Sequence, residues 1–456
     1  MANVYPRRRR SIFSGLLLIV IGALFLAHNF NADLPIWNVL WRWWPIVFIL
    51  WGVAKLYDHF MAQRSGEVAP PTVSAGEILL VLLLLGVLGG AWIRDWGVNH
   101  SGAFEDGGIF FGNTYSFTEE VPVQKIPANA HVVLRTTRGN ITVHSEDAAE
   151  IKVTARKTAR GDNEEEGKRR SDEVHMNISH SDVDYIIEPE GENGSSGGSV
   201  NVDLDVHVPK GATVNAQTTH GNIDITGAGG NVVVTGRSGD VAVRQTGGDV
   251  SVEVHSGAVT VTGAGGLVRV SGSGNEVEVA DVKGVVTVDG EFYGPLRFNN
   301  APKGVHFVSH ISDISVANLA GRMEINGPGD MSVTDAPGDV TLTTSKRDLT
   351  LENVTGRIHV ENRGGNVTVR FAQAPHDPVE ISNHSGDIEV TMPEKSSFDV
   401  SARAHNGEIE SDFGDLSSKI TKERNRDAVL EGTVGAHGPK LDLVTVYGTI
   451  RLHKSQ

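Results

Sequence analysis

The sequence predicts an all-β parallel β-solenoid preceded by an α-helical membrane region of three transmembrane helices. Apolar residues alternate with polar ones at period two over most of the chain, and glycines recur at a fixed spacing from Gly221 onward. Three apolar runs and all 7 tryptophans fall before residue 97.

The membrane region comes first. From Ile12 to Phe30 no residue is charged, and the run is about as long as a bilayer's hydrocarbon core is thick. Trp43 to Leu56 forms a second apolar stretch, and Ile78 to Ile93 a third, bracketed by Glu77 and Arg94. Both are short for a span, so they require tilt or local thinning. Most of the tryptophans stand near the span ends, as in an interfacial aromatic belt. The alternative for the first run is a cleaved signal peptide behind Arg7, Arg8, Arg9 and Arg10, but two more apolar runs follow and no clear cleavage site does. With those four arginines held in the cytoplasm, three crossings place everything after Trp96 outside.

Residues 97–456 then form one extracytoplasmic β-domain, after a hairpin at 1–65 and a cytoplasmic loop with the third span at 66–96. Strand-like runs appear at HVVLRTT, NITVHS and EIKVTARK. The charged tracts GDNEEEGKRRSDE and EGENGSSGGS read as solvated loops or a short surface helix.

From Gly221 the unit GNIDITGAG, GDVAVRQTG, GDVSVEVHS, GAVTVTGAG repeats, each copy a glycine followed by alternating Val or Ile. Gly221, Gly239 and Gly257 are one series, and Gly230, Gly248, Gly266 and Gly284 another, each spaced by a coil of about 18 residues. Gly338 and Gly356 continue one spacing; Gly329, Arg347 and Gly365 continue the other. Two strands per repeat make a solenoid in which Ile223, Val241 and Val259 form one column and Val232, Val250, Val268 and Val286 another. About ten coils at roughly 4.8 Å each would build a rod on the order of 50 Å long. An antiparallel sandwich or a propeller is the alternative, also all-β. The only long interruption expected is the stretch around Phe292 to Lys303.

Composition narrows the function. With no cysteine, zinc ribbons and thiol chemistry are excluded. Residues 1–100 hold 8 basic and 5 acidic side chains, which leaves 32 and 51, a net charge of −19, for the rest. Such a domain repels nucleic acid, whose affinity comes mainly from cations on phosphate.

Two resemblances rest on particular motifs. GLLLIVIGALFLAHNF followed by WWPIVFILWGVAKL, with Gly15, Gly22, Pro45 and Gly52, resembles the LiaI/LiaF-type transmembrane region of bacterial envelope-stress proteins, over roughly residues 10–57. VHVPKGATVNAQTTHGNIDITG, VTMPEKSSFDVSARAHNGEIESDFG and GTVGAHGPKLDLVTVYGTIRL are similar to a bacterial adhesin-type β-solenoid family of unknown function, over most of residues 125–453. Neither family supplies catalytic residues.

Candidate sites weigh lightly. Asp240, Asp249, Asp330, Asp339 and Asp387 each follow a glycine, and a row of carboxylates could hold calcium, but Asp and Asn at such places ordinarily bond nearby backbone N–H groups. The calcium-binding nonapeptide is not matched, since GAGGNVVV and GAGGLVRV have no aspartate. His306 and His310 lie in a predicted strand, about 13 Å apart on one face, too far to share a metal. His220, His384 and His405 stand at or near turns. No catalytic, cofactor-binding or metal residue is assigned. The expectation is a bacterial cytoplasmic-membrane protein, multi-pass, carrying a non-enzymatic scaffold for binding, adhesion or envelope-stress sensing. Its partners are the lipid bilayer and an envelope protein or polymer, a cationic or neutral one being favoured by the charge, with no nucleic acid and homo-oligomerisation left open. The alternative is a membrane-tethered glycan-active β-helix enzyme, because lyases and hydrolases also use such helices.

Overall fold

The computed structural model describes residues 113–191, 200–327, 329–422 and 427–455. The described residues belong to one compact unit, residues 110–456. The three expected spans lie outside the described residues; among those described, no helix is long and apolar enough to cross a membrane.

Among the described residues, two sheets of 16 and 17 strands face one another across a single core, the chain passing from one to the other at each turn of the regular coils. The expected register is present residue for residue. In the first sheet Ile223 pairs with Val241, Val241 with Val259 and Val259 with Val277. In the second, Val232 pairs with Val250, then Val268, then Val286. All these strands are parallel. Their alternate side chains are fully inside, Val250 and Val268 at 0 % exposure. Each fully buried Val, Leu or Ile contributes roughly 1.5–3 kcal/mol by leaving water. β-Branched residues suit this thin core because they are stiff and pack well on a pleated surface.

Three features depart from the uniform parallel rod. First, the coil spanning 312–326 is inverted. Its strand Ser312–Val316 is antiparallel to both neighbours in the second sheet, Val305–Val308 and Val340–Thr344. Its strand Leu319–Asn326 is antiparallel to Leu296–Ala301 and Asp330–Thr334 in the first. Beyond it the parallel register resumes, Met331 on Leu349 and Leu349 on Val367. Second, the stretch around Phe292 to Lys303 is no long loop. It contains strand Leu296–Ala301, and a one-residue insertion shifts the pairing so that Val286 meets Val305. Third, both ends are interleaved. Ile141 sits between Leu204 and Ile223, both later in the chain, while Ile450 sits between Ile388 and Ile409, both earlier.

The ends are closed by other elements. At one, the antiparallel strands Asn113–Lys125 and Glu150–Gly161 extend the first sheet. The acidic tract becomes helix Glu164–Asp172, capped by the Asn163 side chain, which accepts the Glu166 N–H at 2.9 Å. Lys157, 5 % exposed, is held there by Glu119 at 2.5 Å and by the Val174 carbonyl. At the other end Ala428–Val434 covers Phe398–Ala404, and Phe398 meets Phe413 edge to face, centroids 5.2 Å apart.

Candidate binding surfaces

The two edges of the stack, where the chain turns from sheet to sheet, explain the glycines and the acidic residues that follow them. A Cβ on Gly239 would lie 2.2 Å from the Gly221 carbonyl oxygen, and its φ of +130° is a conformation that side chains resist. Coils touch backbone to backbone here. The next residue then bonds across the gap: Asn222 Oδ1 accepts the Asp240 N–H and Asp240 Oδ1 the Ala258 N–H, both at 2.8 Å. Asn231, Asp249 and Leu267 repeat this on the opposite edge at 2.9 Å. At that edge the Asp249 carboxylate takes the room a Cβ on Gly266 would need, 2.1 Å away.

The expected carboxylate row therefore divides between the two edges. Asp240, Asp330 and Asp387 lead into strands of the first sheet, Asp249 and Asp339 into strands of the second. Four of the five accept a backbone N–H from a neighbouring coil: Asp240, Asp249, Asp339 through Arg357, and Asp387 through Thr449. Burial pushes the Asp387 carboxyl up, but the Thr449 N–H and Arg451 outweigh it and hold the group below its ordinary value. No group of three or more His, Asp or Glu residues arranged to hold a metal ion occurs among the described residues.

The histidines divide similarly. The strand expected to carry both His306 and His310 ends at Val308, which puts His310 in the hairpin turn. His306 lies 3.5 Å from Asp313 and His310 2.5 Å from Glu291. Glu291 is held below the ordinary glutamate value by the His310 N–H and imidazole. His384 packs edge to face on Tyr447 at 5.6 Å, His405 is 3.3 Å from Asp427, and His220 ends strand Thr213–His220. Further His–carboxylate pairs, unanticipated from the sequence, join His207 to Glu146, His359 to Glu380, His437 to Asp399 and His453 to Asp412, at 2.7–3.1 Å.

On the outer face of the first sheet, ion pairs also run from coil to coil: Asp224 to Arg244 at 2.6 Å, Glu352 to Arg370 at 2.8 Å, Asp387 to Arg451 at 2.7 Å. The first two are largely exposed and worth under about 1 kcal/mol each, while the third is half-buried.

Two buried polar rows carry no signal in the alternation of the strands. Thr136, Thr218, Thr344, Asn362, Asn383 and Thr445 stand three residues before Gly139, Gly221, Arg347, Gly365, Gly386 and Gly448, and are 0–6 % exposed. Five of them bond carbonyls of the turn: Thr218 to Gly139, Asn362 to Arg347 and Gly364, Asn383 to Gly365, Thr445 to Gly386, Thr136 to Arg138. A Thr or Asn three residues ahead of the turn glycine is the signal that would have found them.

Residues 268–453 match the family described as Toastrack DUF4097, and residues 13–101 match the LiaF transmembrane domain. Both matches agree with the resemblances read from the sequence. Neither description names an enzymatic activity. The coil stack itself extends well upstream of residue 268. Among solved structures, the chain is similar to a candidate cell-adhesion protein from Clostridium sporogenes, at 9 % identity and TM-score 0.16 over 74 % of this chain and 100 % of that one. It is also similar to candidate adhesins from Bacteroides fragilis, at 9 %, 0.19, 74 % and 97 %, and from Parabacteroides distasonis, at 8 %, 0.20, 75 % and 98 %. No curated protein matches the chain.

Proposed function

We propose that this protein is anchored in the bacterial cytoplasmic membrane by several crossings and presents its β-solenoid outside the cytoplasm as a non-enzymatic scaffold that binds, adheres or senses envelope stress. The observation that carries the reading is what the carboxylates do. Four of the five aspartates weighed as a candidate row bond neighbouring coils instead, as Asp240 and Asp249 do through backbone N–H groups. A stack of this kind offers long, regular outer faces on which a large partner can lie. The LiaF transmembrane domain at residues 13–101 supports the anchor and the association with envelope stress.

The test pairs a pull-down from envelope extract with a glycan-degradation screen, each with and without calcium. Retention of a defined envelope protein or polymer with no sugar release is expected. Reproducible release of sugar fragments, abolished by Asp240→Asn or Asp249→Asn, would overturn the scaffold reading in favour of the enzyme.

A further inference from the structure

The glycine series at one edge is broken at Asn275 and again at Arg347. The coil before it explains why a side chain fits. Asp330 pairs with Asp348, so Arg347 lies next to Gly329, which closes the hairpin after the inverted coil and has open space around it. At Gly365, one coil further on, a Cβ would lie 2.4 Å from the Arg347 carbonyl oxygen.

Arg347 is 5 % exposed, and among the described residues its guanidinium donates only to neutral oxygens, Ser312 Oγ at 3.3 Å and the Gly327 carbonyl. Burying a cation without an anion is expensive, and its field is screened far less than that of a surface charge. Other cations surround it. Thr344 pairs with Asn362 and Asn362 with Asn383, which places exposed Lys346 next to Gly364 and exposed Arg363 next to exposed His384. Tyr447, 53 % exposed, pairs its backbone with Ser385 and packs against His384.

Among the described residues, Lys346, Arg347 and Arg363 have no carboxylate within 4.0 Å. The acids nearest in sequence are engaged elsewhere: Asp348 accepts the Asn366 N–H at 2.6 Å, Glu361 is 3.7 Å from His359, and Asp387 holds Thr449 and Arg451.

We propose that Lys346 and Arg363, with His384 and Tyr447 beside them and the buried Arg347 charge beneath, form a binding site for a phosphate group of an envelope polymer or lipid. An Arg fork and a Lys point charge are the pair that recognises phosphate best, and a Tyr ring covers the apolar part of such a ligand. The net charge of the domain does not forbid this, because at physiological ionic strength a ligand feels charges within about 8 Å rather than the whole molecule. The proposal names a ligand class for the scaffold put forward above and rests on that reading.

The experiment uses the full chain in phosphatidylcholine nanodiscs at low ionic strength, with two probes. One is soluble poly(glycerol phosphate); the other is vesicles of phosphatidylglycerol in phosphatidylcholine, against pure phosphatidylcholine. At least one probe should bind, weaken as salt rises, and lose about tenfold or more in affinity in the double variant Lys346→Glu, Arg363→Glu. The opposite-edge variant Lys283→Glu, Lys303→Glu should bind as the parent does. Binding of the polymer alone identifies a polymer source, and binding of the vesicles alone a headgroup. Both variants replace exposed side chains, so folding is checked by equal thermal unfolding. No binding of either probe by the folded protein, or equal loss in both variants, would overturn the site. An envelope partner still retained in the pull-down would then leave the scaffold reading standing.

Discussion

At the scale of single residues, the inward and outward positions of one strand differ in kind. Val250 is sealed between Val232 and Val268, whereas Ser251 points outward between Val233 and Arg269. Val250→Asp would place a carboxylate in an apolar column with no partner, at a cost of several kcal/mol. Ser251→Asp should change stability by under about 0.5 kcal/mol. Thermal or denaturant unfolding of residues 110–456 measures both, and equal losses would contradict the burial. The same logic governs the buried threonines and asparagines three positions before the turn. They are tolerated in the core because five of the six bond a turn carbonyl and Thr344 bonds Asn362 Oδ1, and an alanine there would leave that partner unmatched.

At the scale of elements, the inserted C-terminal coil is where acid should act first. Asp399 is held below the ordinary aspartate value by Thr433 and His437, and Asp412 by His453. Asp387 is lowered by Thr449 and Arg451 against the opposing effect of burial. All three tie residues 428–455 to the coils they lie between. A carboxylate depressed in the folded state adds stability that is fully present above its unfolded pKa near 4 and is lost as pH falls through the folded value. The midpoint of thermal unfolding should therefore hold from pH 7 to about 5 and drop below about pH 4. In Asp399→Asn, Asp412→Asn the protein should be less stable at pH 7 and lose less on acidification. An acid loss as steep as the parent's would show that these carboxylates do not secure the coil.

At the scale of the whole molecule, the proposed topology, three crossings with Arg7 to Arg10 in the cytoplasm, would put the β-domain outside it. A reporter active only outside, fused after Gln456, should be active, and the same reporter fused near Arg64 should be silent. Activity from the Arg64 fusion would reverse the topology. The interleaved ends add a folding consequence. Because the coil at 440–455 separates 379–393 from 398–411, residues from 398 onward cannot join the stack until the chain is complete. Removing 440–455 should abolish cooperative unfolding rather than merely shorten the stack, a difference calorimetry can read.

The periodic part of this protein was determined by its sequence. Alternating Val and Ile with a glycine at each turn specify which face is buried, and a coil of constant length forces like to stack on like, so Val232, Val250, Val268 and Val286 fall in one column from spacing alone. Charge and hydropathy likewise separate a membrane region from an acidic β-domain. Only the tertiary structure decided the order of coils wherever chain order and spatial order part. Strand direction is invisible to an alternating pattern, since a strand reads the same in either direction, and so the inverted coil at 312–326 could not be seen. Interleaving at Ile141 and Ile450 was hidden for a related reason: one Gly-turned coil offers the same edge to any neighbour, and long-range pairing selects among them. The edges followed suit. That an aspartate after glycine bonds the next coil, or that Arg347 lies buried against neutral oxygens, depends on which backbone comes to rest beside it, and that is a property of the stack and not of the repeat.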